Sequence, residues 1–375
     1  MKACIAPCRV LWTPQAGGHA WEYLNWALGL QDNDCEIFWL EDLPPDLDPA
    51  EALNRICLLK KQMQAIGLRA QIAILNPAGT EMARLTIPWE AAAEESDLFL
   101  NFYYSLDPSV IRRFRRSVLM DNDPALLQVW LSQGGIRVAP HDINFTIGET
   151  VGRPGALFPD CGMRWHYTRS PAYLPAWPVT GTTAGAPYTT ITNWGGEWVV
   201  FNGENFPNDK RQMYLEYSDL PSRTTAPLEL SVCFLRGSEH DAEDRRLLEQ
   251  KGWRTRHAWD VTNTPLDYCT YIGQSRGEFS CAKPSCMRFA NAWISNRTAC
   301  YLASGKPAVV QHTGPSSFLP DAEGLFRFRS PEEAAVSLSM AESDYERHSR
   351  AARALAEEFF DARKVVGSVL ERALA

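Results

Sequence analysis

The chain has 375 residues, 45% of them hydrophobic and 13 of them tryptophan, enough to bury large cores, and its length favours two domains over one. A formal net charge of -8 and a pI near 5.5 argue against a general nucleic-acid or anionic-membrane binder, which needs a basic face. An anionic ligand must then be met by a local cluster of cations.

Over the first hundred residues apolar strand patterns alternate with amphipathic ones: ACIAPCRVLW, a Gly-containing loop, AWEYLNWALGL, CEIFWLE, a helix around AEALNRICLLKKQMQAIG, then RAQIAILN. Strands DLFLNFY and SVLMDND follow, and the alternation predicts a doubly wound parallel sheet. Between about 145 and 225 helical periodicity gives way to Pro, Gly, Trp, Tyr and Thr, which predicts irregular or hairpin structure between domains, near a binding cleft. A second alternating series starts at LELSVCFL and runs through a helix near DAEDRRLLEQKG, strand WRTRHA, a helix near PLDYCTYIGQS and strand EFSCAK. After SNRTACYLASGKPAVVQHTG come strand GLFRFR, helix SPEEAAVSLSM and a long helical tract from SDYERHSR to VLERAL. Two Rossmann-like halves are the simplest fit. No stretch reaches the ~18 consecutive apolar residues of a membrane span, and the N-terminus is too interrupted for a signal peptide, so a cytoplasmic location is expected.

The ten cysteines are scattered, and neither Cys4 with Cys8 nor Cys281 with Cys286 has the paired spacing of structural zinc, so no metal is expected there. In SNRTACYLASGKPAVVQ the order is loop, helix start, turn at Gly305 and strand Pro307–Gln311, which sets Ser295, Asn296, Arg297 and Thr298 at the positive end of a helix dipole. Such a terminus suits a phosphate, and equally suits simple capping by Ser295 or Asn296. In the loop after the first strand, Gly17 and Gly18 precede His19, either as a tight turn with a capping histidine or as a phosphate or acceptor loop bearing a base. Asp121, Asp123, His141 and Asp142 are read as polar residues at strand ends on the acceptor side, although Asp123 before Pro124 also suits a turn cap. Of Trp177, Tyr188, Trp194 and Trp198, one or two are expected to face a ligand, the others core or hinge.

The motifs SRGEFSCAKPSC and SNRTACYLASGKPAVVQHTG, with the closing EEFFDARKV, resemble nucleotide-sugar glycosyltransferases of the GT-B fold, and are especially similar to a largely uncharacterised bacterial group; GGHAWEYLNWALGL, MDNDP and HDINFTIGE fit the same group more thinly. The resemblance implies an α/β fold of two facing Rossmann-like domains closed by C-terminal helices, with residues 1–180 on the acceptor side, 181–355 binding the nucleotide sugar, and 356–375 forming a helix that packs back on the first domain. It implies transfer of a sugar from a nucleoside diphosphate donor to a small-molecule acceptor, with inversion and without a metal. His19 would be the general base, since a neutral imidazole at a cleft rim can take a hydroxyl proton. Ser295, Asn296, Arg297 and Thr298, with Lys283 and Arg276, would meet the diphosphate, although Arg276 could instead pair with Glu278. His312, Thr313 and Gly314 would lie beside the donor sugar. Two departures stand out: Cys300 occupies the place of a ribose-binding Glu, and His312 that of an acidic residue facing sugar hydroxyls. MDNDP also has the D-x-D form that binds Mn or Mg in the other main glycosyltransferase fold. A catalytically silent nucleotide-sugar-binding protein and a nucleotide-sugar epimerase remain as alternatives.

Overall fold

The computed structural model describes residues 1–76, 82–183, 185–319 and 323–375. The first sheet comprises β1 (Lys2–Ala6), β2 (Glu36–Glu41), β3 (Ala70–Ile74), β4 (Ile87–Pro88), β5 (Leu98–Asn101), β6 (Ser117–Asp121), β7 (Ile143–Thr146) and β8 (Trp165–Tyr167). Their spatial order is β4-β3-β2-β1-β5-β6-β7-β8, with all pairs parallel. Strand order reverses direction between β1 and β5. Residues of β1 are buried almost throughout, as expected for a strand covered on both faces by helices.

After β9 (Tyr188–Asn193) comes an antiparallel hairpin of β10 (Trp198–Phe201) and β11 (Glu204–Pro207). The second sheet adds β12 (Leu228–Cys233), β13 (Arg254–His257), β14 (Gly277–Ser280), β15 (Ala308–Gln311) and β16 (Leu325–Phe328). Its order is β13-β12-β9-β14-β15-β16, all parallel, and reverses between β9 and β14. The sequence pattern starts this half at β12, one strand late. The YTTITN strand lacks an apolar run because Thr189, Thr190 and Thr192 are buried yet hydrogen-bonded: Thr189 Oγ1 lies 2.6 Å from both Ser275 Oγ and Tyr301 Oη, and Thr190 Oγ1 accepts from Tyr214 at 3.4 Å.

The Gly17–Asp32 helix ties the halves together. It is buried on nearly every side and shares one apolar cluster with Trp177, Tyr268, Ile272 and Tyr301. Gly17 and Gly18 make this approach possible: a Cβ on Gly17 would stand 2.2 Å from the Thr264 carbonyl oxygen, and one on Gly18 would stand 2.6 Å from the Tyr268 ring. Trp21 Nε1 donates to the Pro265 carbonyl at 2.7 Å. The long C-terminal tract is not one helix, as its sequence suggests. It breaks at Asp361, which has extended backbone angles and caps the next helix by accepting from Arg363 N. At the break Ala172 N donates to Phe360 O at 2.7 Å and Ala362 N to Ala172 O at 3.0 Å. The Ala362–Leu374 helix then lies against Gly17–Asp32, with Asn33 Nδ2 donating to Arg363 O at 3.0 Å.

Candidate functional site

In an open parallel sheet, ligands bind beyond the carboxyl ends of strands where the order reverses. Here the two reversals face each other across a cavity of about 270 Å³. From the first half come Gly18, His19 and Glu22, after β1; from the second come Thr192 and Asn193 at the end of β9, Lys210, and Ser295 to Arg297. Lys283, after β14, reaches Asp123, after β6, at 3.5 Å and so spans the two halves. Asn291 Nδ2 adds a second tie by donating to the Pro124 carbonyl at 2.8 Å.

His19 Nε2 lies 2.8 Å from the Cys8 carbonyl oxygen. A carbonyl only accepts, so Nε2 carries the proton and Nδ1 is the basic nitrogen. Burial lowers the imidazole's proton affinity, while the bond to Cys8 acts the other way. One helical turn on, Glu22 shares the cavity. Burial, with Asp123 nearby, pushes its carboxyl up to about 7 against the pull of Lys283. Lys210 begins the Lys210–Glu216 helix, whose cap is Asp209, accepting from Gln212 N at 2.9 Å. Burial, together with the like charges of Arg297 and Lys283, lowers its ammonium to about 7. Lys283 is held above its usual range by Asp123, despite burial. Lys283 and Arg297 already face Asp123 and Glu278. Among the described residues this leaves Lys210 as the cation of this group with no carboxylate within 4.0 Å, and an anion in the cavity would stabilise its charged form.

Several expected site residues have other work. Ser295 caps the Asn296–Ala303 helix, its side chain accepting from Arg297 N at 3.2 Å. Asn296 donates to the Pro171 carbonyl at 3.1 Å. The Arg297 side chain is nearly buried, with Nε 2.7 Å from Glu278 Oε1 and Nη1 donating to the Ile191 carbonyl at 2.7 Å. Thr298 is buried one residue further along this helix. Arg276 precedes β14 at the opposite end of the strand. Its partner is Glu342 rather than Glu278, through two bonds of 2.8 and 3.0 Å, and its guanidinium sits 3.4 Å from the centre of the Tyr345 ring. The loop after β15 is internally tied: His312 Nδ1 accepts from Gly314 N at 3.2 Å, and Thr313 Oγ1 donates to the Trp293 carbonyl at 2.6 Å. None of His312, Thr313 and Gly314 lines the cavity.

In the first half, Asp121 is fully engaged. Its Oδ2 accepts from Gln128 at 2.9 Å and Thr146 at 2.8 Å, and its Oδ1 from Asp123 N at 3.0 Å and Tyr104 at 3.3 Å. Metal ligation by Asp121 would have to displace those bonds. His141 and Asp142 precede β7 instead of ending a strand, and Asp142 accepts from Ser117 N at 2.7 Å at the other end of the sheet. Trp177, Tyr188 and Trp194 are buried, and Trp198 is exposed on the β10–β11 hairpin. The aromatic residues of the cleft are Trp259, Tyr268 and Trp293.

Sequence reasoning missed Glu22, Lys210 and Trp259. The three-residue spacing of His19 and Glu22 on one helix was a usable signal, because such residues share a face. Nothing local distinguishes Lys210 from an ordinary surface lysine. Cys300, at the place of the expected ribose-binding Glu, is buried against the first half, with Asn25 Nδ2 3.7 Å from its sulfur. A carboxylate there would be buried between helices.

No protein-family model matches the chain, and no curated protein matches it. Solved structures do share the fold. The structure of Anabaena HepE in complex with UDP and glucose has a TM-score of 0.58 at 10% identity, covering 100% of both chains. The HepE complex with UDP-glucose has a TM-score of 0.56 at 10% identity, covering 99% of this chain and 100% of that one. A glycosyltransferase from Rickettsia africae has a TM-score of 0.49 at 10% identity, with coverage of 99% and 97%. The architecture is the GT-B fold: two parallel α/β halves facing across a cleft.

Proposed function

We propose that the chain is a glycosyltransferase that moves a sugar from a nucleoside diphosphate donor to a small acceptor hydroxyl, with inversion and without a metal. The observation that carries this reading is that Lys210 and Arg297 line the cavity that His19 and Glu22 share, with Lys283 close enough to act on the Lys210 ammonium. HepE, of the same fold, holds UDP-glucose. In this reading Lys210 and Lys283 take the diphosphate oxygens, Arg297 adds field from behind, and the half-exposed Trp259 indole offers a face for the nucleobase. The acceptor oxygen attacks the anomeric carbon as the bond to the phosphate oxygen breaks. His19 Nδ1 receives the hydroxyl proton, and the nucleoside diphosphate leaves with the bonding electrons, its charge met by the lysines.

The test is calorimetric titration with UDP and UDP-glucose, then product analysis with EDTA and a panel of sugar acceptors. Lys210→Met should weaken UDP binding about tenfold or more, the worth of a hydrogen bond between charged groups, while His19→Ala leaves UDP binding unchanged and lowers turnover by roughly 10²- to 10⁴-fold. Binding without turnover on any acceptor supports the silent alternative, an isomerised donor supports the epimerase, and failure of Lys210→Met to alter affinity removes the cation cluster as the donor site.

A further inference from the structure

At the far end of the first sheet, where β6 and β8 begin, the chain forms a groove against the Ala362–Leu374 helix. Two adjoining concavities, of about 850 and 370 Å³, both include Arg164, His166 and Arg372. Arg153 lines the larger and Arg116 the smaller. These arginines come from separate places in the sequence: Arg116 before β6, Arg153 in the loop after β7, Arg164 before β8 and Arg372 in the last turn of the C-terminal helix.

Elsewhere in this acidic chain arginines are commonly ion-paired, as Arg113 is with Glu94 at 2.8 Å and Arg353 with Glu357 at 2.7 Å. Among the described residues no carboxylate lies within 4.0 Å of the guanidinium nitrogens of Arg116, Arg153, Arg164 or Arg372. The nearby carboxylates are Asp142, Glu371 and that of the last residue, Ala375, and Asp142, which Arg116 also attracts, is engaged by Ser117 N and Oγ at 2.7 and 2.9 Å. Arg116 Nε donates to the Ala373 carbonyl at 2.9 Å, which orients that guanidinium and leaves its two NH₂ groups. Arg372 Nη1 lies 2.8 Å from His166 Nδ1. Since Arg only donates, His166 Nδ1 accepts, the ring is neutral, and its Nε2 carries a proton. Burial and the charges of Arg372 and Arg164 hold the imidazole's proton affinity down accordingly. The groove therefore presents guanidinium donors and one imidazole N–H at a concave surface. Gathering like charges this way is unfavourable without an anion, and guanidinium forks match phosphate oxygens in pairs.

We propose that this groove binds a ligand carrying two or more phosphate groups, held by Arg116, Arg164 and Arg372 with the His166 ring. It lies at the end of the sheet opposite the cleft, and the proposal does not depend on the glycosyltransferase reading. The phosphates belong either to a free phosphorylated molecule or to the headgroups of an anionic lipid surface. Both sources are tested by comparing the parent chain with an Arg164→Gln/Arg372→Gln variant, whose changed side chains are exposed. Tripolyphosphate is titrated by calorimetry, and vesicles of pure phosphatidylglycerol are set against vesicles of pure phosphatidylcholine in a flotation assay. Tripolyphosphate binding weakened about tenfold or more in the variant, with no vesicle capture, assigns a free phosphorylated ligand. Capture of the parent but not the variant by phosphatidylglycerol alone assigns the lipid surface. Thermal melting serves as the control for an intact fold, and its midpoint should be the same in both chains, because the changed side chains are exposed. Identical behaviour of parent and variant toward both probes overturns the proposal.

Discussion

Arg297 joins a helix start to a strand by a route the sequence does not display. The helix-terminal pattern is legible in SNRT because capping is local: Ser295 accepts from Arg297 N. The guanidinium's partner, Glu278, sits on β14, and the partner weighed for Glu278 from the sequence is Arg276, as an alternative to phosphate binding. In the structure Glu278 is buried, with Oε1 bonded to Arg297 Nε at 2.7 Å and Oε2 without a partner among the described residues. Burial works against both charges, so removing one partner leaves the other uncompensated. Arg297→Ala is therefore expected to lower stability by about 3–5 kcal/mol, while Arg297→Met combined with Glu278→Gln is expected to lose much less. Urea unfolding of the single and double variants measures this. A loss below about 1 kcal/mol for Arg297→Ala would mean that the pair behaves as an exposed one. For the same reason Lys210, not Arg297, is the cleaner probe of donor binding: its loss removes a cation from the cleft without orphaning a buried carboxylate.

At the scale of elements, the Gly17–Asp32 helix shows why local pattern stops short of the site. Its sequence reads as an ordinary crossover helix after the first strand, and GGH reads either as a tight turn with a capping histidine or as a loop bearing a base. Both glycines are helical and are set by tertiary contact, at the Thr264 carbonyl and the Tyr268 ring. Gly17→Ala is expected to cost about 1–3 kcal/mol, the range for overpacking a close contact, because the backbone at Thr264 must shift. Gly195→Ala is the matched control, since a Cβ there has open space. Thermal melts of the two variants decide the matter, and equal melting points would show that the helix contact is not tight. Alternating strands and helices were legible wherever burial made the strands apolar, as in β1, β2 and β12. They were illegible in β9, where hydrogen-bonded threonines replace apolar residues, and at Asp361, where pairing with Ala172 breaks a pattern that is helical on both sides.

Over the whole molecule, the two-sheet architecture follows from the strand alternation, but the way the halves join does not. Periodicity reports which face of an element is buried and not what buries it. The joint here is apolar and continuous: one cluster runs from Ile5, Trp21 and Phe145 of the first half to Tyr268, Tyr301 and Leu325 of the second, with Val366 and Val369 of the last helix. Polar contacts reinforce it. Asn25, fully buried, accepts from Tyr173 N at 2.9 Å and from Trp177 Nε1 at 3.3 Å, while donating to the Trp21 carbonyl at 3.0 Å. A large hydrophobic interface between domains opposes independent motion and independent melting. The chain is therefore expected to unfold in one calorimetric transition, with the van't Hoff enthalpy close to the calorimetric one. Asn25→Ala should lower its midpoint without splitting it, because the variant strips polar partners from both halves at once. Two resolved transitions in the parent would mean that the shared cluster does not couple the sheets, and that the cleft, framed by both, opens as freely as a linker allows.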